Sequence, residues 1–218
     1  MPATTIHFVR HGEVYNPGHV IYERLPGYHL SHRGERMVRA TARFIAENPA
    51  LNTLEAVYSS PLDRTRETAG IIVEALDRVR RARGQKPLTV RYDDRLLEAG
   101  NEFRGRRIGR GKGALWHPEN LKLVSDLFRP SWGESYREIA DRVGDFVRDQ
   151  VAGHPDSQIL VVTHESPIWT YRHLLETGRP EHNMLLRKTA LASITSITID
   201  DRDGQVLGIT YADPALRV

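Results

Sequence analysis

Short apolar runs alternate with amphipathic stretches along the whole chain of 218 residues. Short apolar runs bounded by turn-forming residues are typical of buried strands, and apolar residues three or four positions apart are typical of helices. The predicted strands cover residues 5–9, 56–59, 88–92 and 158–163, and residues 192–200 and 205–211 form a closing hairpin turned at Asp203-Gly204. This order predicts an α/β fold, a three-layer α/β/α sandwich with a mostly parallel central sheet.

The first two helices are predicted from their buried faces. Residues 33–47 place Met37, Thr41, Phe44 and Ile45 on one face. In the second helix the expected buried stripe is Thr65, Ala69, Ile72, Val73 and Leu76. Ser60 is its expected cap, with Pro61 at the first helical position and Asp63 completing a capping box.

Two further helices follow from start signals. Ser131-x-x-Glu134 is a capping-box pattern and predicts a helix with Ile139, Val143, Phe146 and Val147 directed inward. Ser166-Pro167 predicts the start of a helix directly after the apolar strand 158–163. The stretch from residue 98 to 130 has little periodicity, so we expect one domain over residues 1–218 with a substrate-covering insertion at about 98–130.

Residues with distinctive chemistry lie where the predicted strands end. Arg10 and His11 follow the first strand, and His164 follows the strand 158–163. In open α/β sheets, ligands bind at the carboxyl edge of the strands. Arg64 falls in the first turn of a predicted helix, where backbone N–H groups and the helix dipole favour anions. The sequence therefore predicts an anion site at this edge.

Composition excludes several classes of chemistry. The chain has no cysteine, which rules out disulfides, thiol catalysis and cysteine metal sites. No histidine pair has the i, i+4 spacing on a predicted helix that zinc sites use, so we expect no metal and no cofactor. No stretch is apolar enough to span a membrane, and the N-terminus lacks the pattern of a secretory signal, so cytoplasmic is the default location.

The net charge of +3 raises the question of a polyanionic partner. Arginine and lysine cluster in residues 78–91 and again in residues 104–112. Neither cluster is interleaved with the aromatic residues that stack on single-stranded nucleic acid, so we expect no nucleic acid partner. The second cluster, which includes Arg104, is either a solvated surface or a specificity loop.

Four blocks in order resemble signatures of the histidine phosphatase (phosphoglycerate mutase-like) superfamily. They are Val9-Arg10-His11-Gly12-Glu13 with the later Leu30-Ser31-x-x-Gly34, the stretch 58–69 around Ser59-Ser60-Pro61-Leu62-Asp63-Arg64, Gly133-Glu134-Ser135, and Val161-Val162-Thr163-His164. The resemblance implies that His11 is the nucleophile and that Arg10, Arg64 and His164 bind the phosphoryl group. Two neighbouring guanidinium groups would help to keep His11 neutral.

The resemblance leaves the remaining site residues less fixed. It implies Glu98 as the general acid, with Glu102 as the alternative because the spacing from Glu98 to Gly105 is one residue short of the commonest family pattern. Asn16 is a further phosphate contact, and Glu165, Ser166 and Arg104 are expected near the substrate. Glu165 stands where relatives often have glycine, and an inward-facing carboxylate there would repel phosphate.

The expected function is hydrolysis of small phosphate monoesters through a phosphohistidine on His11, without a metal. One alternative is phosphoglycerate mutase-type transfer in the same pocket, disfavoured because the Tyr-Gly-Gly-Leu-Gln-Gly-type segment of mutase relatives is not found around Glu98. Another is a non-catalytic module that binds a phosphorylated ligand. The expected partner is a phosphorylated small molecule, and a homodimer stays open.

Overall fold

The computed structural model describes residues 2–107, 117–118 and 133–218. The strands are β1 Ala3–Arg10, β2 Ala56–Ser59, β3 Val90–Tyr92, β4 Gln158–Thr163, β5 Ile194–Asp200 and β6 Val206–Ala212. The helices in this part of the chain are α1 His32–Glu47, α2 Asp63–Ala82, α3 Tyr136–Gly153 and α4 Glu165–Thr177. Most of the predicted insertion lies outside the described residues.

The six strands form one sheet in the order β3-β2-β4-β1-β5-β6. Strands β3, β2, β4 and β1 pair in parallel, whereas β5 is antiparallel to both β1 and β6. The prediction of a mostly parallel sheet is confirmed. Arg10 of β1 pairs with Thr163 of β4, and Ser59 of β2 pairs with Val162. The carboxyl ends of β1, β2 and β4 therefore lie side by side at the same edge of the sheet.

Two apolar clusters, one on each face of the sheet, confirm the three-layer architecture. Alternate strand residues point to opposite faces, so Val9 and Val162 join one cluster while Phe8 and Val161 join the other. Helices α1 and α2 cover the first face, and α3 and α4 cover the second. Each fully buried aliphatic or aromatic side chain contributes roughly 1.5–3 kcal/mol to the free energy of folding.

Three local predictions were wrong. Phe44 is exposed, because the inward face of α1 is formed by Met37, Val38, Thr41, Ala42 and Ile45. Helix α2 begins at Asp63 and its N-cap, Leu62, makes no side-chain cap bond, so Ser60 does not cap it. Helix α3 begins at Tyr136 with a complete capping box of Ser135 and Glu138; Ser131, the predicted cap, lies outside the described residues.

The start of α1 packs directly on the loop that follows β1. Ser31 caps α1 by accepting a hydrogen bond from Gly34 N at 2.9 Å, and its own hydroxyl donates to Glu13 Oε1 at 2.7 Å. A Cβ on Gly34 would lie 2.0 Å from the Glu13 carbonyl oxygen, and one on Gly12 would lie 2.7 Å from the Gly34 carbonyl oxygen. Only glycine permits this approach, which fixes the backbone next to His11.

We expect Gly34→Ala to lower the free energy of unfolding by about 1–3 kcal/mol, because backbone atoms, which cannot move aside as a flexible side chain can, block the added methyl group. Gly70→Ala is the matched control. Gly70 is an exposed position inside α2 with nothing within 4 Å of an added Cβ. That substitution should stabilise the protein by roughly 0.5–1 kcal/mol. Urea unfolding measures both, and a Gly34→Ala protein as stable as the wild type would contradict the close approach.

Candidate active site

Four polar side chains meet at the carboxyl edge of the parallel strands. His11 follows β1, Ser60 follows β2 and His164 follows β4, while Arg64 reaches them from the first turn of α2. All four are buried. The backbone N–H of His11 donates to Thr163 O and that of Ser60 donates to Val162 O, so the strand ladder continues into the site and holds these residues rigidly.

The orientation of His11 leaves one ring nitrogen directed at the site. Its Nδ1 lies 2.8 Å from the carbonyl oxygen of Gly12, which can only accept a hydrogen bond. Nδ1 is therefore the protonated nitrogen, and the lone pair is on Nε2. Arg64 Nε donates to that lone pair at 3.3 Å. An unprotonated, fixed Nε2 is the form of imidazole that can act as a nucleophile.

Arg64 connects the two histidines. Its Nη2 donates to His164 Nδ1 at 3.1 Å and to the carbonyl oxygen of Glu23 at 2.6 Å. Its Nη1 is buried and has no hydrogen-bond partner among the described residues. Within that same part of the chain, no carboxylate forms a salt bridge with Arg64. A buried cation whose close partners are neutral lacks its counter-charge, and an anion at this place would supply it.

His164 is held from both sides of its ring. Because Nδ1 accepts from Arg64, Nε2 carries the proton and donates to Ser60 Oγ at 2.9 Å. The rings of His11 and His164 lie edge to face with centroids 5.2 Å apart. The sequence pattern predicted His164 in the site, but Ser60 was assigned to a helix cap. The structure places Ser60 against the histidine instead.

Arg10 lies beside this group and is paired with Glu165. Arg10 Nη1 donates to Glu165 Oε1 at 2.9 Å and to the carbonyl oxygen of Thr189 at 2.5 Å, and its Nε is buried without a partner among the described residues. Glu165 therefore points towards the site rather than contributing only its backbone. Ser166 is buried and accepts a hydrogen bond from Arg187.

Glu98 approaches the group from the segment after β3. Its Oε1 accepts a hydrogen bond from Ala99 N at 2.8 Å. Burial lowers the pKa of Arg64, and the negative charge of Glu98 partly offsets that lowering. Arg24 Nε donates to the Glu98 carbonyl oxygen at 2.7 Å and fixes the backbone. Glu102 is exposed and lines a surface cavity with Glu23 and Arg104. Of the two candidate acids, Glu98 is the one whose charge acts on Arg64.

The Gly133-Glu134-Ser135 block secures the segment that carries Glu98. Glu134 pairs with both Arg24 and Arg142 at distances of 2.9 and 2.7 Å. Glu134 N donates to the Gly100 carbonyl oxygen at 3.1 Å, and a Cβ on Gly133 would lie 1.8 Å from that oxygen. The two stretches of chain therefore touch backbone to backbone.

Asn16 and Arg104, which were predicted to lie near the phosphate or the substrate, have other partners. Both polar atoms of the Asn16 side chain bond to the backbone of Val20, at 2.8 and 3.1 Å, and so brace their own loop. Arg104 is largely exposed and lies 3.7 Å from Glu23. Neither residue contacts His11, Arg64 or His164 in this structure.

Tyr22 and Glu23 were missed by the sequence analysis. The Arg64 guanidinium lies over the face of the Tyr22 ring, with its Cζ 4.9 Å from the ring centroid. Burial raises the pKa of the Tyr22 phenol, while the charges of Arg64, Arg10, Glu98 and Glu165 all act on it. Glu23 is buried, and burial raises the pKa of its carboxyl. Both residues come from the irregular stretch before α1, where no periodicity marks an inward position.

Burial keeps both histidines neutral. It lowers the pKa of His11 well below the ordinary value of 6.5, and the guanidinium groups of Arg64 and Arg10 lower it further. The pKa of His164 is lowered in the same way, first by burial and then by the charge of Arg64. Among the described residues, no group of three or more histidines, aspartates or glutamates could hold a metal ion.

A neutral histidine with a directed Nε2, a second buried histidine and two arginines lie together at the edge of the sheet, as the resemblance to histidine phosphatases implied. The family model for the histidine phosphatase superfamily (branch 1) matches residues 6–211, and the chain belongs to this family. It is 39% identical over 215 residues, 97% of each chain, to an uncharacterized protein of Mycobacterium tuberculosis.

Two further comparisons agree on the fold and family. Phosphoserine phosphatase 1 of Hydrogenobacter thermophilus is 30% identical over 173 residues, which are 73% of this chain and 70% of that protein. The solved structure of mycobacterial glucosyl-3-phosphoglycerate phosphatase has a TM-score of 0.74 at 22% identity, covering 97% of this chain and 99% of that one. No helix in the described part of the chain is both long and apolar enough to cross a membrane.

The lowered pKa of His11 predicts how stability depends on pH. The unfolded chain takes up a proton on this residue near pH 6.5 and the folded protein does not, so stability is retained above that value and falls as the pH drops below it. From about pH 7.5 to about pH 5.5, the wild type should lose about 1.4 kcal/mol more than His11→Asn. Denaturant unfolding across this range measures the difference. Parallel pH profiles of the two proteins would show that His11 is not held neutral.

Proposed function

We propose that the protein hydrolyses phosphate monoesters through a phosphohistidine formed on Nε2 of His11. The observation that carries this proposal is the fixed orientation of His11. Its Nδ1–H is anchored to the Gly12 carbonyl and its Nε2 lone pair faces Arg64. A nucleophile presented in one tautomer and one rotamer needs no change of either before attack, once Arg64 turns its Nε–H from the lone pair to a phosphate oxygen.

Arg64 and Arg10 bind the phosphoryl group in this proposal. Both have a buried N–H without a partner among the described residues, Nη1 of Arg64 and Nε of Arg10. A phosphate dianion would satisfy these donors and neutralise the two guanidinium charges. Because two arginines already provide this neutralisation, the reaction needs no divalent metal ion.

His164 becomes a donor once phosphate is bound. In the free site its Nδ1 accepts from Arg64. When Arg64 turns its donors to phosphate oxygens, this nitrogen is released next to a dianion, which favours proton uptake by the ring. Ser60 meanwhile keeps the ring in place through Nε2. The protonated His164 then donates to a phosphoryl oxygen and stabilises its developing charge.

Glu98 completes the cycle as acid and then as base. In the first step Nε2 of His11 attacks phosphorus, the bond to the ester oxygen breaks, and Glu98 gives its proton to that leaving oxygen. In the second step Glu98 takes a proton from a water molecule whose oxygen attacks phosphorus, and orthophosphate leaves His11. His11 and Glu98 return to their starting states, so one ester and one water yield one alcohol and one phosphate.

Small phosphorylated metabolites are the proposed substrates. The relatives support this class, since one is named a phosphoserine phosphatase and another a glucosyl-3-phosphoglycerate phosphatase. The Tyr22 ring, which lies against Arg64, would form one wall of the substrate pocket beside the leaving group.

His11→Ala should abolish turnover of nitrophenyl phosphate and of alkyl phosphates, because no other side chain offers a nitrogen with the same orientation. Rapid quenching of the wild type during turnover should trap an acid-labile phosphoryl group on the peptide that contains His11. His154→Ala is the control, since this histidine lies at the end of α3, remote from the carboxyl edge. Wild-type turnover by His11→Ala would refute the mechanism.

The acid role of Glu98 should depend on the leaving group. An alkoxide must be protonated as it departs, whereas nitrophenolate needs little help, and general acid catalysis contributes roughly 10²–10⁴-fold. We expect Glu98→Gln to lower kcat/KM at least about tenfold more for an alkyl phosphate than for nitrophenyl phosphate. Glu102→Gln is the matched control and should affect both substrates equally and mildly. The selective loss in Glu102→Gln would transfer the role to that residue, and equal losses in Glu98→Gln would remove Glu98 from it.

A further inference from the structure

Glu165 stands between two guanidinium groups. Its Oε1 lies 2.9 Å from Arg10 Nη1, and its Oε2 lies 3.8 Å from Arg187 Nη1. Glu165 is the first residue of α4, so its backbone is fixed by the helix. Its side chain is 30% exposed, so it borders solvent on one side. The carboxylate can therefore shift from one arginine towards the other by rotating its side chain.

Arg187 is buried without a close counter-ion. Its side chain is only 9% exposed. Its Nε donates to His182 Nε2 at 2.8 Å and its Nη1 donates to Ser166 Oγ at 3.1 Å, both of which are neutral acceptors. Its Nη2 is buried and has no hydrogen-bond partner among the described residues. A buried guanidinium in this state favours any carboxylate that comes within reach.

Arg10 cannot hold Glu165 and a phosphate dianion equally well. Its Nη1 is already shared between Glu165 and the Thr189 carbonyl oxygen. A phosphate oxygen on the remaining donors of Arg10 would place a second negative charge beside the carboxylate, and like charges at this distance repel one another. Arg187, whose Nη1 lies 3.8 Å from Glu165 Oε2 and whose Nη2 has no partner among the described residues, offers the carboxylate a compensating position.

We propose that Glu165 is a mobile counter-ion that competes with phosphate for Arg10 and is received by Arg187 when phosphate binds. This rests on the proposed function, because it takes Arg10 as a ligand of the phosphoryl group. In the free site Glu165 neutralises Arg10. In the occupied site phosphate neutralises Arg10 and Glu165 neutralises Arg187. The competition lowers the affinity for orthophosphate and so favours release of that product.

Orthophosphate binding in a double-mutant cycle tests the proposal. The proteins are the wild type, Glu165→Gln, Arg187→Met and the double variant, and the quantities are the dissociation constant by calorimetry and the competitive inhibition constant. Glu165→Gln should bind orthophosphate about tenfold more tightly, since the competing charge is gone. Arg187→Met should bind it several-fold more weakly, since Glu165 then has no alternative partner. In the Glu165→Gln background, Arg187→Met should change binding by less than about twofold.

Three results would overturn the proposal. Weaker orthophosphate binding by Glu165→Gln would mean that Glu165 orients Arg10 rather than competing for it. An equal effect of Arg187→Met in both backgrounds would mean that Arg187 does not receive Glu165. No measurable orthophosphate binding by any of the four proteins would also overturn it.

Matched controls separate the effect from charge and folding. Glu176 and Arg172 form an ion pair on α4, and Glu176→Gln and Arg172→Met should each change orthophosphate binding by less than about twofold. If Glu165→Gln impairs folding, Glu165→Asp is used in its place, and if Arg187→Met impairs folding, Arg187→Lys is used. Both replacements keep the charge of the original side chain. Aspartate is one methylene too short to hold Arg10, so Glu165→Asp should also bind orthophosphate more tightly than the wild type.

Calorimetry distinguishes this proposal from the proposed function because it requires no turnover. If the protein shows the expected double-mutant cycle but hydrolyses no phosphate ester, the counter-ion proposal stands and the proposed phosphatase function is wrong. If it hydrolyses esters but Glu165→Gln leaves orthophosphate binding unchanged, the proposed function stands and the counter-ion proposal is wrong.

Discussion

The hydrogen bonds of one buried guanidinium, that of Arg64, hold the candidate site together. It contacts Nε2 of His11, Nδ1 of His164 and the backbone of Glu23 through two of its three nitrogens. Each contact also determines a chemical state, since the arginine can only donate and the histidine nitrogens facing it must be unprotonated. The sheet supplies the rigid frame for this arrangement, because β1, β2 and β4 end side by side.

Two carboxylates near this centre have different surroundings, and that difference suits the different tasks proposed for them. Glu165 is paired with Arg10, with its Oε1 2.9 Å from Arg10 Nη1. Glu98 contacts a backbone N–H and feels Arg64 only at longer range. A pair of acidic groups in unlike environments is a recurring basis for dividing roles in hydrolases. The separation follows from position: one group begins a helix and the other lies in the irregular segment after β3.

Periodicity predicted the sheet and helices well, because burial on two faces dictates the spacing of apolar residues. Strand 158–163 and the hairpin were recovered almost residue for residue. Helix starts were less predictable, since Ser60 fits a capping pattern but is used by His164 instead. In the site, His11 and His164 could be located because they directly follow strands, and Arg64 because it lies in the first turn of a helix. Tyr22 and Arg187 could not, because they come from irregular segments and reach the site through tertiary contacts alone.

The backbone contact between Gly100 and Glu134 gives the chain a modular character. Gly100 and Glu134 are 34 positions apart in the chain, yet Glu134 N donates to the Gly100 carbonyl oxygen at 3.1 Å. Arg24 binds both margins of this junction, through the Glu98 carbonyl and the Glu134 carboxylate. When the two ends of a flexible loop are held together, doubling the length of the loop costs only about 0.6 kcal/mol in loop-closure entropy. The number of residues between these two points can therefore change at little cost in loop-closure entropy while the contact that holds the segment carrying Glu98 is kept.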